Sequence, residues 1–249
     1  RHPLISRPSW LRRSKKIRAA ATRMSDAAST SRPSITLKLA TSLDGRIALA
    51  NGQSKWITGE AARAEVHRLR AAHDAVIVGS ETVLADDPEL TARTDPMPEK
   101  QPLRVVADSR GRVPASAKLF STLEIGPVAI ATLETMDLDR WPSTQGLQFW
   151  MLPAGEGSSS VSLIEMMNSA RRGGVTSMMV EGGGQLAASF VKAGLVDRIE
   201  WFRAPVLLGG DGRPCLGGLS LETLEVAPRF ERVSVKEIGV DLWESYVRR

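Results

Sequence analysis

Three segments carry side chains whose types and spacing could do chemistry. In Val180-Glu181-Gly182-Gly183-Gly184-Gln185 a strand runs into three glycines and then a helix. Glycine lets the main chain approach a ligand with no Cβ in the way. A helix N-terminus offers unpaired N–H groups and a partial positive charge, which suits a pyrophosphate. The spacing is not GxGxxG, so the motif reads equally as a dinucleotide site or a plain turn. Glu181, at the carboxyl end of its strand, lies where α/β sheets place ligands, or else it is a solvated or capping carboxylate.

The second segment is Lys38-Leu-Ala-Thr-Ser-Leu-Asp-Gly-Arg46, followed by Ser54-Lys-Trp-Ile-Thr58. Lys38 interrupts a strand that otherwise takes apolar residues, so it either faces water or reaches a ligand. Trp56 is a core residue, a stacking surface for a ligand ring, or both. The third is Thr82-Val-Leu-Ala-Asp-Asp-Pro-Glu-Leu-Thr-Ala-Arg93. Asp86 and Asp87 are a carboxylate pair, but adjacent acids before proline commonly make a turn and a cap. Arg70 and Arg93 could hold an anionic substrate by forked hydrogen bonds, and each could equally be a surface arginine.

The elements that must position these groups follow from periodicity. Residues 35–40 read as the first strand and 41–56 as a long polar segment. A helix spans 58–73, with Thr58 as N-cap and Glu60 in its first turn. Ala62, Val66, Leu69 and position 73 form its buried face, and Arg70 flanks that face beside a cleft. Residues 74–79 form a fully buried strand of the parallel kind, and a short helical piece ends at Asp86-Asp87-Pro88. Further strands are expected at 103–107, 128–131, 147–152, 175–180 and 198–205, and near Val233 and Leu242. Helices are expected at 161–172 and 185–193, the latter stopped by Gly194. Alternating strands and helices indicate a single α/β domain with a mostly parallel central sheet and helices on both faces; the late strands form an antiparallel edge. Residues 94–102 and 153–160 read as surface loops.

The chain of 249 residues has a net charge of +5. Eight basic side chains and no acid fall within residues 1–23, and the remainder holds 25 basic against 28 acidic residues. A mildly acidic body argues against a dedicated nucleic-acid binder. We read 1–33 as a basic, polar tail, disordered or non-native up to residue 23, and 34–249 as the working domain. Met24 is a plausible native start, and an organellar transit peptide or a nucleic-acid arm are the other readings of the tail. No stretch reaches the roughly 18 consecutive apolar residues of a membrane span. The single cysteine, Cys215, is read as an idle thiol; no disulfide can form within the chain, which fits a reducing, cytoplasmic setting. His67 and His73 are six apart, off a common helical face, and no metal site is expected.

Taken in order, these segments resemble the reductase domain of riboflavin biosynthesis, the unit often fused behind a pyrimidine deaminase. Val106-Ala-Asp-Ser109 and Ala204-Pro-Val-Leu-Leu-Gly209 complete a set of six motifs in the family's order, and the resemblance runs from about Ile35 to Val247. It implies a fold similar to dihydrofolate reductase, a homodimer, and NADPH-dependent reduction of the ribosyl group of 5-amino-6-(5-phosphoribosylamino)uracil to a ribityl chain. By motif, Ala40, Trp56, Thr82, Asp86, Ser109, Gly183, Gly184, Gln185, Leu186, Ala187, Ala188 and Ser189 would contact the dinucleotide. Ser54, Arg70, Leu90, Arg93 and Glu181 would contact the substrate, the arginines taking its phosphate. Lys38 would lie beside the reacting ribose. Lys38, Asp86 and Glu181 are the candidates to deliver the proton that reduction requires, and sequence does not rank them.

The chain departs from the family by an extra glycine at 182–184 and by lacking the deaminase half, for whose zinc site it has too few cysteines and histidines. It would then work beside a separate deaminase, reduce the pyrimidine before deamination, or serve another pathway. A pterin or other small carbonyl substrate on the same fold, and a non-catalytic nucleotide-binding homologue, are the competing readings.

Overall fold

The computed structural model describes residues 32–249; the tail expectations for 1–31 lie outside the described residues. At the start of the described residues the Arg32 guanidinium makes two 2.8 Å hydrogen bonds to the Asp197 carboxylate.

In chain order the elements are β1 (Ser34–Thr41), β2 (Arg46–Ala48), α1 (Glu60–Ala71), β3 (Ala75–Gly79), α2 (Ser80–Asp86), β4 (Leu103–Ala107), α3 (Lys118–Ser121), β5 (Val128–Leu133), β6 (Leu147–Leu152), α4 (Leu163–Arg172), β7 (Ser177–Glu181), α5 (Gly184–Lys192), β8 (Arg198–Arg203), β9 (Arg213–Pro214), β10 (Phe230–Ile238) and β11 (Asp241–Arg248). Nine strands make one sheet in the order β10-β11-β8-β1-β7-β3-β4-β5-β6. The seven strands from β8 to β6 are mutually parallel, and β11 pairs antiparallel with both β8 and β10. The expected architecture is therefore present, antiparallel edge included. It also has a feature the polar segment 41–56 concealed, a two-stranded sheet of β2 and β9.

Alternation along β1 decides where the polar groups go. Ile35, Leu37 and Leu39 enter the larger core, which also takes Met166 and Met167 of α4 and Phe190 and Val191 of α5. The intervening Thr36, Lys38 and Ala40 must face the other side of the pleat. On that side Ala62 and Val66 of α1 pack with Phe202, Ala40 and Trp243, and Val83 of α2 packs with Val78, Val106 and Ile130. Cross-strand register sets Lys38 opposite Glu181 on one neighbour and Glu200 on the other. A charged row thus lies between two apolar clusters, where a sheet built only for stability would carry aliphatic side chains.

Helix ends match their chemistry with one correction. α1 is capped by Gly59 rather than Thr58; the Gly59 N–H is taken by the Asp241 carboxylate at 2.7 Å, a partner 182 residues away. α4 starts after Ser162, whose hydroxyl accepts the Glu165 N–H. Gly194, at φ 65°, ends α5 as expected. Asp87 ends α2 in the left-handed region at φ 42°, and its carboxylate takes the Lys118 N–H. The Asp86-Asp87 pair is thus a helix terminus, with only Asp86 facing the crevice described next. Among the described residues no helix is long and apolar enough to cross a membrane.

Candidate active site

The carboxyl ends of β1, β3, β4 and β7 open into a crevice walled on its other side by β2 and β9. It comprises a cavity of about 860 Å³ and a smaller one of about 180 Å³, joined through Ile47, Glu81, Thr82, Gly183 and Arg213, which line both. Lys38 and Gly183 both line the smaller cavity. This is the end of a parallel sheet at which ligands bind, and the volume suits a small-molecule site. A groove of about 920 Å³ lies at the opposite, amino-terminal end of the parallel strands, around Leu103, Pro127 and Gly146, away from these groups.

The triple glycine is required by the backbone at each position. Gly182 and Gly183 have φ of 72° and 77°, and a Cβ on Gly184 would lie 2.6 Å from the Pro214 carbonyl oxygen. No side chain caps α5, so its first N–H groups, from residues that line the larger cavity, are left for a ligand or solvent. The Gly217 N–H bonds the Gly184 carbonyl at 2.8 Å, holding the 213–217 segment against the helix start. Gly184→Ala is expected to push that wall outward and to destabilise the protein by about 1–3 kcal/mol. Urea unfolding of variant and wild type checks this, and equal midpoints would mean that the 213–217 segment yields to a Cβ without cost.

Behind the smaller cavity sits a buried charge cluster. Arg70 grips Glu181 with two bonds, Nε to Oε1 at 2.6 Å and Nη2 to Oε2 at 2.9 Å, and its Nη1 donates to the Thr91 carbonyl at 3.0 Å. Lys38 Nζ lies 3.9 Å from Glu181 Oε2. Burial alone would raise the Glu181 pKa, but the Arg70 guanidinium, with help from Lys38, outweighs it and brings the carboxyl from 4.5 down to about 2. Burial lowers the Lys38 pKa from its ordinary value; Glu181 pulls it up and Arg70 pushes it down further. Burial likewise lowers His67, aided by Arg70 and Arg93. The cluster therefore holds a permanent carboxylate, a permanent guanidinium, and an amine whose proton is loosened.

Ala40, Ser54, Asp86 and Ala187 line the smaller cavity; Ser109, Gly184, Gln185, Leu186 and Ser189 line the larger; Thr82 and Gly183 line both. Other expected contacts lie elsewhere. The Trp56 ring is 69% exposed and lies under the Arg63 guanidinium at 4.6 Å, outside both cavities. Leu90 is buried in the second core, so only its main chain is available to a ligand. Ala188 is buried. Arg93 is bound to Glu89 at 3.0 Å and lines neither cavity. Arg70 and Glu181 form the wall behind Lys38 rather than the lining, so Arg70 is committed to a carboxylate and not free for a phosphate.

Sequence reasoning missed Arg110, Arg112 and Arg213, all of which line the larger cavity. Arg110 and Arg112 lie one and three residues after Ser109, so a scan for cations beside that motif finds them. Cys215, read as idle, lines the smaller cavity with Lys38; burial raises its pKa, which leaves it a thiol. Its position depends on β9 pairing with β2 and on its N–H bonding the Gly45 carbonyl at 3.1 Å. Asp44 ties the two distant motifs together by accepting the Leu208 and Gly209 N–H groups at 3.2 and 2.8 Å.

A family model for the RibD C-terminal domain matches residues 33–243. The chain is 36% identical over 220 residues to a riboflavin biosynthesis protein RibD of Actinobacillus pleuropneumoniae, a match covering 88% of this chain and 57% of that protein. It is likewise 36% identical over 221 residues to that of Escherichia coli, covering 84% of this chain and 58% of the relative. The chain thus spans a little over half the length of these curated relatives. Among solved structures it is similar to Acinetobacter baumannii RibD, with TM-score 0.73 and 31% identity over 88% of this chain and 59% of that one. A Saccharomyces riboflavin biosynthesis reductase shares the fold, with TM-score 0.70 and 18% identity over 91% of this chain and 95% of that one.

Proposed function

Because the chain belongs to the RibD C-terminal domain family, we propose that it is an NADPH-dependent reductase of riboflavin biosynthesis. Its substrate would be 5-amino-6-(5-phosphoribosylamino)uracil, whose ribosyl group becomes a ribityl chain. The observation that carries this reading is the convergence of Lys38 and the Gly182–Gly184 bend on one crevice.

The residues present suit a dinucleotide. Gly184 lies where any Cβ would meet the Pro214 carbonyl, the start of α5 is uncapped, and three arginines against one glutamate line the larger cavity. Gly183, Gly184 and Gln185 would take the pyrophosphate, Thr82, Ser109 and Ser189 the sugars, and Ala40 and Asp86 the walls of the nicotinamide end. When bound, the cofactor supplies the hydride.

The chain's own part is to open the sugar and keep its carbon in place. Breaking the bond between the first ribose carbon and the ring oxygen leaves that carbon electrophilic and the oxygen in need of a proton. Lys38, lining the cavity with a lowered pKa, delivers that proton in this reading. In this reading Glu181 is not the donor, because the two hydrogen bonds from Arg70 favour its ionised form and pull its carboxyl below the usual range. It acts instead by fixing Arg70 and Lys38. Ser54 lines the same cavity and would bond the substrate, and Arg93 would exchange Glu89 for the substrate phosphate. We infer a homodimer and a cytoplasmic setting from the same family, and a deaminase that supplies the substrate.

The test is to follow NADPH oxidation with the deaminated and undeaminated pyrimidine phosphates side by side. Oxidation with the deaminated compound, giving the ribityl product, is expected. Oxidation with the undeaminated compound alone would move the enzyme one step earlier, and oxidation with neither would sink the proposal.

A further inference from the structure

The loop that follows α2 is pinned by its main chain to side chains from elsewhere in the fold. Arg104 Nη1 donates to the Glu89 carbonyl at 2.9 Å. Gln101 pairs with both main-chain groups of Ala92, its Oε1 accepting the N–H and its Nε2 donating to the carbonyl, each at 2.8 Å. Arg70 Nη1 donates to the Thr91 carbonyl at 3.0 Å. The last holder is His67 of α1, half-buried beneath the loop. Its Nδ1 lies 3.2 Å from the Thr91 carbonyl oxygen and 3.2 Å from the Arg93 main-chain nitrogen.

One ring nitrogen cannot serve both neighbours at once. With a proton, Nδ1 donates to the Thr91 carbonyl and leaves the Arg93 N–H without its acceptor; without one, it accepts that N–H. The carbonyl has Arg70 as a donor in either case, whereas the Arg93 N–H has no other acceptor among the described residues. The form that satisfies every group is therefore the neutral ring with its proton on Nε2. The surrounding charges agree. Arg70 on the same helix and Arg93 on the loop both oppose a cation at His67, and burial opposes it most. Glu181 of β7 favours one, but that carboxylate is already gripped by Arg70 and lies beside Lys38. Glu89, the loop's own acid, is bound to Arg93.

We propose that His67 is a positioning residue for substrate binding: its bare Nδ1 holds the Arg93 main chain, and a proton on that nitrogen moves the bond to the Thr91 carbonyl and releases Arg93. The proposal rests on the reading that Arg93 leaves Glu89 for the substrate phosphate. His67 itself lines neither cavity, so it acts through the loop and not on the reacting atoms. Protonation also adds a third positive charge beside Arg70 and Arg93. The sign of the effect follows. Substrate affinity is full while His67 is neutral and falls as pH drops through its pKa, which lies below the ordinary imidazole value.

Nitrogen-15 correlation spectra of the full chain without ligand read the imidazole directly. Near neutral pH His67 is expected as the Nε2–H tautomer, and acid titration of its ring should move the Arg93 amide resonance in step. In NADPH-oxidation kinetics, His67→Ala is expected to raise KM for the pyrimidine phosphate about fivefold with little change in kcat, the worth of one hydrogen bond. His67→Asn places an untitratable acceptor near the Nδ1 position, so it should recover most of that loss. It should also abolish the part of the acid rise in KM that the wild type shows beyond the substrate's own phosphate titration. An Nδ1–H tautomer at neutral pH would overturn the assignment, as would an acid rise in KM that His67→Asn retains in full. Failure of the reductase reading looks different: neither pyrimidine supports NADPH oxidation, while His67 and the Arg93 amide still titrate together.

Discussion

Lys38→Met is expected to lower kcat by about 10²–10⁴-fold, the range for loss of a positioned general acid, while cofactor affinity changes little. The fold should survive, because methionine has similar reach and removes a desolvated charge from between the two apolar clusters. Lys38→Arg separates proton delivery from simple positive charge: arginine keeps the charge but does not give up its proton, so substrate binding should recover and kcat should not. The pH profile supplies the sign. A donor must be protonated, and the Lys38 pKa is lowered by burial, so wild-type activity falls as pH rises through a value below the usual lysine range. The methionine variant's residual activity lacks that alkaline limb. Steady-state NADPH oxidation across pH checks this, and a Lys38→Met enzyme with wild-type kcat would remove Lys38 from the chemistry.

Glu181→Gln is expected to destabilise the protein by about 3–5 kcal/mol, the cost of leaving one partner of a buried ion pair uncompensated. Glu181 and Arg70 are both largely buried, with side chains 8% and 13% exposed, so solvent screens little of this. The same interaction predicts an acid limb. The Glu181 carboxyl falls from 4.5 to about 2 on folding, so its stabilisation is complete above about pH 4.5 and is lost as pH falls toward 2. A shift of that size corresponds to on the order of 3 kcal/mol. Urea unfolding of wild type and variant at pH 7 and at pH 4 should therefore show a gap that narrows with acid. Equal midpoints at pH 7 would mean that water, rather than Arg70, balances this carboxylate. Activity should fall with stability, since Arg70 and Lys38 then repel each other across the site.

How much of this was legible depended on the range of the interaction involved. The alternation Ile35, Leu37, Leu39 against Thr36, Lys38, Ala40 marks β1 and already singles out Lys38 as misplaced in an apolar face. The continuous run at 75–78 marks a strand buried on both sides, and Gly194 and Asp87 mark helix ends. Each is a local signal, set by backbone sterics and a side-chain period of a few residues. The glycine bend was legible for the same reason, since a positive φ selects glycine wherever the chain later goes.

What the tertiary structure alone decided involves partners far apart in sequence. β2 and β9 are three and two residues long, too short to announce themselves, yet their pairing across more than 160 residues builds the crevice wall and brings Arg213 and Cys215 into it. Arg70 looked like a phosphate ligand until Glu181, 111 residues away, was seen to occupy it. Leu90 and Trp56 sit within motifs that resemble ligand contacts, but one side chain fills the core and the other lies under an arginine on the surface. Composition and period determine which face of an element is apolar, and so the sheet, its helices and the place of Lys38. They do not determine which charge meets which, because that follows from strand order and the closing of long loops, and the shifts of Lys38 and Glu181 depend on it.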